Sequence, residues 1–106
     1  MGYANFEKQS SAQLAKHIRT LAKNSANVVL TDHLKERMAE RNVSNIEVLE
    51  CLRLGSIRRK PEINHEKQSL ECRMERQVLK RELACIVALC DENPNLIIVT
   101  VFAPNK

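Results

Sequence analysis

Tryptophan is absent from the 106 residues, and Tyr3, Phe6 and Phe102 are the only aromatic side chains. A protein that reads single-stranded nucleic acid by stacking needs a platform of aromatic rings, so any nucleic-acid contact must run mainly through phosphate. Glycine and proline are also scarce, at two and three residues, which excludes a collagen-like or low-complexity chain. The longest apolar run, Leu83 to Cys90, holds eight residues, far short of the roughly 20 that span a membrane. From Asn5 onward the N-terminal stretch is polar and charged, without a signal-peptide apolar segment. A cytoplasmic protein with no membrane partner is the expectation. Cysteines 51, 72, 85 and 90 include no C-x-x-C pair, and no histidine pair stands at zinc-finger spacing. They are expected as reduced core thiols, with no metal and no other cofactor.

What is present suits one small globular domain: 43% of residues are apolar and 28% charged, in a chain too short for two cores. Lysine and arginine number 17 against 13 aspartates and glutamates, for a formal charge of +4, which makes a polyanion a plausible partner. The excess is local. Residues 1–24 carry four positive and one negative charge, and residues 56–82 eight and five, whereas 32–55 and 83–106 are slightly acidic.

Leu14, Ile18 and Leu21 recur at i, i+4, i+7, which predicts an amphipathic helix over 6–23. Asn24 to Asn27 breaks the pattern, and Val28-Val29-Leu30 reads as a short strand. Thr31 can cap a helix over 32–41 that Asn42 ends. Ser44 and Glu47 have capping-box spacing for a helix over 45–54, with Gly55 expected as a left-handed stop. Beyond Gly55 the period changes to two. Strands are expected over 56–60, 69–78, 82–90 and 96–102, the last two as covered central strands of a hairpin. The fold class that follows is α+β, an antiparallel sheet of four or five strands with helices on one face. Leu34, Met38, Leu49, Leu52, Ile86, Val87, Ile98 and Val99 are the expected core. Residues 1–27 would form an N-terminal helical extension of a domain over 28–106.

Arg58, Arg59 and Lys60, with Arg73, Arg76, Lys80 and Arg81, supply cations that neighbouring strands would bring together, as phosphate binding requires. Glu62, Glu66, Glu71, Glu75 and Glu82 are interleaved with them, so a salt-laced sheet surface is the plainer reading. Arg76 interrupts the apolar side of its strand, so it must be paired or lie at the lip of a cleft. On the second helix His33, Arg37 and Arg41 stand at i, i+4, i+8, along one ridge. A solvated helix flank would show the same spacing. The pair of helices from Leu34 to Leu54 also admits a helix-turn-helix reading, but Glu47 and Glu50 against the single Arg53 oppose a phosphate-facing recognition helix.

Thr31-Asp32-His33, Arg37-Met38 and Arg41, then Val43-Ser44 and Val48 to Gly55, resemble the opening motif of the prokaryotic domain-of-unknown-function family numbered 4258. Ile98-Val99-Thr100-Val101-Phe102 resembles its terminal strand, with Phe102 where that strand usually carries tyrosine. The resemblance implies a small α+β fold similar to BrnT and RelE-type toxins, several of which cleave RNA without a metal. It implies a toxin-like ribonuclease whose partners are RNA, free or on the ribosome, and an antitoxin protein. In such a transesterification His33 would be general base or acid, with Arg37, Arg41 and Arg76 around the scissile phosphate and His17 and His65 as weaker candidates. Arg58, Arg59, Lys60, Arg73, Lys80 and Arg81 would hold the RNA. Two other readings stand beside it: a non-catalytic module that binds an antitoxin- or inhibitor-type protein, and a DNA-binding regulator.

Overall fold

The computed structural model describes residues 3–78 and 81–105, with side chains described through Gln77 and again from Glu82 to Thr100. Its elements are α1 (Ala4–Glu7), α2 (Ser11–Ala22), a 3-10 turn at Ser25–Asn27, β1 (Val28–Leu30), α3 (Asp32–Arg41), α4 (Asn45–Leu54), β2 (Ser56–Ile57), β3 (Glu62–Asn64), β4 (Ser69–Val78), β5 (Arg81–Leu89) and β6 (Ile97–Asn105). The class is mixed α+β, as expected.

The helix expected over 6–23 is two helices, because Ser10 starts a new one. Its hydroxyl accepts from the Gln13 amide at 3.2 Å, while the Gln13 side chain accepts from the Ser10 amide at 2.9 Å. That capping box outcompetes continuation of α1. The α1 start is held by Asp91, whose carboxylate accepts from the Asn5 amide at 3.2 Å. Thr31 caps α3 as expected, accepting from Leu34 at 3.2 Å, and Asn42 ends it in the left-handed conformation at φ 55°. Ser44 and Glu47 close the capping box of α4. Gly55 is not a left-handed stop: its φ is −78° and ψ −179°. Space, not torsion, requires it, since a Cβ there would stand 2.4 Å from the Cys51 carbonyl and 2.9 Å from that of Glu75.

The six-stranded sheet runs β1-β6-β5-β4-β2, with β3 also paired to β4. All pairs are antiparallel except β1 with β6, which is parallel. No hairpin links those two strands, so nothing local forces the antiparallel sense. The strand expected over 56–60 stops at Ile57, and β3 was not anticipated.

Alternation sorts the sheet into two faces. Leu70, Cys72, Met74, Leu83, Cys85, Val87, Leu89, Ile97 and Val99 are buried beneath the helices, with Leu14 and Ile18 from α2, Leu34 and Met38 from α3, and Val48, Cys51 and Leu52 from α4. Each fully buried aliphatic side chain here contributes about 1.5–3 kcal/mol relative to exposure. Ile86 and Ile98 are only half-buried, because they point to the face without helices; Leu49 is half-buried as well. The two strands are central but covered on one face only. α4 packs against both α2 and the β4–β5 pair, and the large side chains it leaves exposed, Ile46 and Leu54, are apolar.

Candidate functional site

The helix-free face carries a cavity of about 330 Å³ lined by Arg59, Lys60, Glu62, Glu71, Arg73, Ile86 and Thr100. Its floor is β4 and β5, paired Glu71 to Ala88 and Arg73 to Ile86. Its rim is the segment between β2 and β3, which brings Arg59 and Lys60 over the sheet. A β-bulge completes it. Val99 pairs with Val87 and Val101 with Ile86, so Thr100 is the extra residue, and its hydroxyl donates to the Ile86 carbonyl at 3.4 Å. Bulges of this kind re-aim one side chain and bend the strand.

Glu75 anchors the cations. It is 4% exposed, and its Oε2 lies 3.5 Å from Arg73 Nε and 3.9 Å from Arg59 Nε. The Arg73 side chain is 19% exposed and that of Arg59 63%, so the first pairing is the more sheltered and the second the more screened by water. Glu71 is fixed from the other side, accepting from Asn64 Nδ2 at 3.0 Å. Three cations and two carboxylates thus share one concave site.

Of the residues expected to bind nucleic acid, Arg59, Lys60 and Arg73 are brought together here, while the exposed Arg58 is not part of the lining. Lys80 lies outside the described residues, and of Arg81 only the backbone is described. The expected catalytic set lies elsewhere. His33, Arg37 and Arg41 are exposed on α3, where Arg37 pairs with Glu40 at 3.7 Å. α3 packs on the covered side of β6, through Leu34 and Met38, so the sheet stands between this ridge and the cavity. Arg76 is on the covered face of β4, three residues from Arg73 and therefore on the opposite side of the strand. No hydrogen bond or ion pair among the described residues joins it to the α3 ridge. His17 Nε2 meets the Pro94 carbonyl at 3.1 Å with its ring beside Phe6, and His65 is exposed in the β3–β4 turn.

Arg76 instead adjoins a buried thiol pair. Cys51 Sγ donates to the Met74 carbonyl at 3.3 Å, and Cys51, Cys72 and Cys85 are fully buried free thiols, as expected for core cysteines. A hydrogen bond from Cys85 holds the Cys51 thiol below its usual range, against desolvation and with help from the Arg76 charge. The same bond and burial raise Cys85.

Sequence reasoning missed Glu62, Glu71, Ile86 and Thr100 as cavity residues. The signal for Glu71 was present, because strand parity places Glu71, Arg73 and Glu75 on one face; the bulge that presents Thr100 leaves no such trace. The family model described as "Domain of unknown function (DUF4258)" matches residues 30–103. The chain belongs to this family. No curated protein and no solved structure matches the chain. The DUF4258 match contains the whole cavity and excludes α1 and α2. Among the described residues no helix is long and apolar enough to cross a membrane.

Proposed function

We propose that the helix-free face binds the backbone of RNA and that the cavity holds a phosphate for metal-independent strand cleavage. The observation that carries this reading is the convergence of Arg59, Lys60 and Arg73 with Glu62 and Glu71 around one cavity. The resemblance of the opening motif to families similar to BrnT and RelE-type toxins favours RNA as substrate and an antitoxin-type protein as the natural inhibitor.

Cleavage by transesterification has three demands. A base takes the proton of the ribose 2′-hydroxyl as its oxygen attacks phosphorus. Cations stabilise the charge that grows on the phosphorane oxygens, and an acid protonates the departing 5′-oxygen. Arg73 and Lys60 suit the second role, with Arg59 at the rim. Glu71, immobilised by Asn64, is the base, and water supplies the proton to the leaving oxygen while Glu71 returns the one it took to solvent. His33, on the other side of the sheet, is left as a contact for a longer RNA or for the inhibitor protein.

The test is cleavage of a mixed RNA pool by purified protein in EDTA, with and without ribosomes. Cutting by the wild type, lowered on the order of 100-fold in Glu71→Gln, is the expected result. Loss of cutting in His33→Ala with full activity in Glu71→Gln would return the base role to His33. No cutting under either condition would leave a protein-binding domain as the better account.

A further inference from the structure

On the helical side, away from the cavity, α2 and α4 form a second basic feature. A groove of about 440 Å³ is lined by Lys16, Arg19, Thr20, Lys23, Arg53 and Leu54, four cations with no carboxylate among them. None of the ion pairs among the described residues involves these cations.

The two arginines are held in place from both sides. Arg53 Nε, near the end of α4, donates to the carbonyl of Ala22, the last residue of α2, at 2.7 Å. Arg19, on α2, donates through Nη1 to the carbonyl of Gly55, the residue that closes α4, at 2.9 Å. Each helix therefore caps the C-terminal end of the other. That mutual capping is the structural role a guanidinium has at such an end, where the helix dipole leaves about half a negative charge. Two ends account for about one of the four positive charges, and about three remain. Each guanidinium has five N–H donors, and the described hydrogen bonds occupy one in each. Both side chains are half-buried and line the groove, so part of each fork still faces it.

We infer that this groove binds the phosphodiester backbone of RNA, as a site separate from the cavity on the open face. The inference rests on the nucleic-acid part of the function proposed above and not on cleavage. Fixed guanidiniums offer planar pairs of donors to phosphate oxygens, Lys16 and Lys23 are exposed and adapt to the next phosphate, and the Thr20 hydroxyl adds a neutral donor. A concave space of this volume suits one or two phosphates. Leu54, 56% exposed, gives it a single apolar wall against which a ribose can rest. With no aromatic residue in the lining, base identity goes unread and binding is backbone-driven and salt-sensitive. Three of the six lining residues come from α2 and a fourth, Lys23, directly follows it; all four lie outside the DUF4258 match, so the site depends on the N-terminal extension.

The experiment is an NMR titration of the full chain with a 2′-O-methyl RNA of about 12 nucleotides, which binds but cannot be cut, alongside its salt-dependent affinity. The backbone amides of Lys16, Thr20, Lys23 and Leu54 should shift on binding. In Lys16→Glu/Lys23→Glu those shifts should disappear, and the log–log salt slope should fall by about 1.4, at about 0.7 per phosphate on a single strand. Both lysines are exposed, and no hydrogen bond or ion pair among the described residues uses their side chains, so the variant should keep the fold. Shifts confined to Arg59, Lys60, Arg73 and Thr100 would overturn the groove and leave the proposed function standing. Shifts confined to the groove would do the reverse, and no shifts at all would sink both.

Discussion

The open-face cavity and the α2–α4 groove are equally basic at first glance, yet they differ in what stands against their charge. In the cavity, Glu62 and Glu71 face the same space as Arg59, Lys60 and Arg73, and Glu75 pairs with both arginines from below. Its formal charge is close to zero. In the groove, four cations meet only the partial charges of two helix ends. Mixed, fixed charges suit chemistry, because proton transfer and charge stabilisation need both signs close together. Unopposed charge suits capture of a polyanion without reference to sequence. A count of lysines and arginines along a chain therefore says little until the carboxylates and helix ends facing them are known.

If the two regions do separate work, variants in each should have separate effects. Arg73→Ala should lower RNA cleavage on the order of 100-fold while leaving the groove amide shifts intact. Lys16→Glu/Lys23→Glu should leave turnover at saturating RNA unchanged and raise only the RNA concentration needed. Equal loss of turnover in both variants, measured by single-turnover kinetics, would mean that the two regions form one site.

Glu75→Gln should act on the cavity in two opposed ways. Removing a buried carboxylate leaves Arg73 without its partner, a loss of about 1–3 kcal/mol once the exposure of Arg59 is discounted, read as a lower midpoint in urea. The same change frees positive charge, so RNA affinity at low salt should rise. A variant that is less stable and binds no better would show that Glu75 does not oppose the ligand. Arg53→Ala tests the other region. Losing one cap bond at the end of α2 should lower stability by about 1 kcal/mol, and Arg53→Lys, which keeps the charge without Nε, should recover RNA binding better than stability.

Much of the fold was legible because its signals are local. Thr31, Ser44 and Glu47 announce helix starts by chemistry that acts within four residues, and the alternation from Leu70 to Gln77 announces a strand with one wet face. Some of what escaped notice is equally local, and the rest depends on distant partners. Ser10 reads as an ordinary polar residue until Gln13 is seen to answer it. The continuous apolar run of β5 reads as covered on both faces, because Ala84, Ile86 and Ala88 are apolar on the side that lacks helices. The site was legible in part: parity along β4 separates Arg73 from Arg76, whereas the meeting of Arg59 with Arg73, and of Arg19 with the end of α4, is a product of chain paths that no spacing encodes.

The smallest expected effect concerns the floor that the cavity rests on. Cys72 lies between Glu71 and Arg73 in β4, pointing into the core behind them, and burial pushes its thiol from an ordinary value of 9.0 up to about 12. The folded state therefore holds this proton where the unfolded chain releases it. The sign follows: the contribution of the neutral thiol is fully present below about 9.0 and is lost as pH rises from there towards 12. At about pH 10 one unit of that window has been crossed, which corresponds to at most about 1.4 kcal/mol. Cys85, also raised, acts in the same direction and Cys51, lowered, opposes it, so the whole-protein profile mixes all three. Cys72→Val isolates the contribution of this thiol, since it keeps the volume and removes the proton. Urea midpoints measured from neutral pH to about pH 10 should fall less steeply in Cys72→Val than in the wild type, whereas Lys16→Glu/Lys23→Glu should follow the wild-type slope. Parallel slopes in wild type and Cys72→Val would mean that water reaches the sheet beneath the cavity, and the fixed geometry assigned to Glu71 and Arg73 would lose its support.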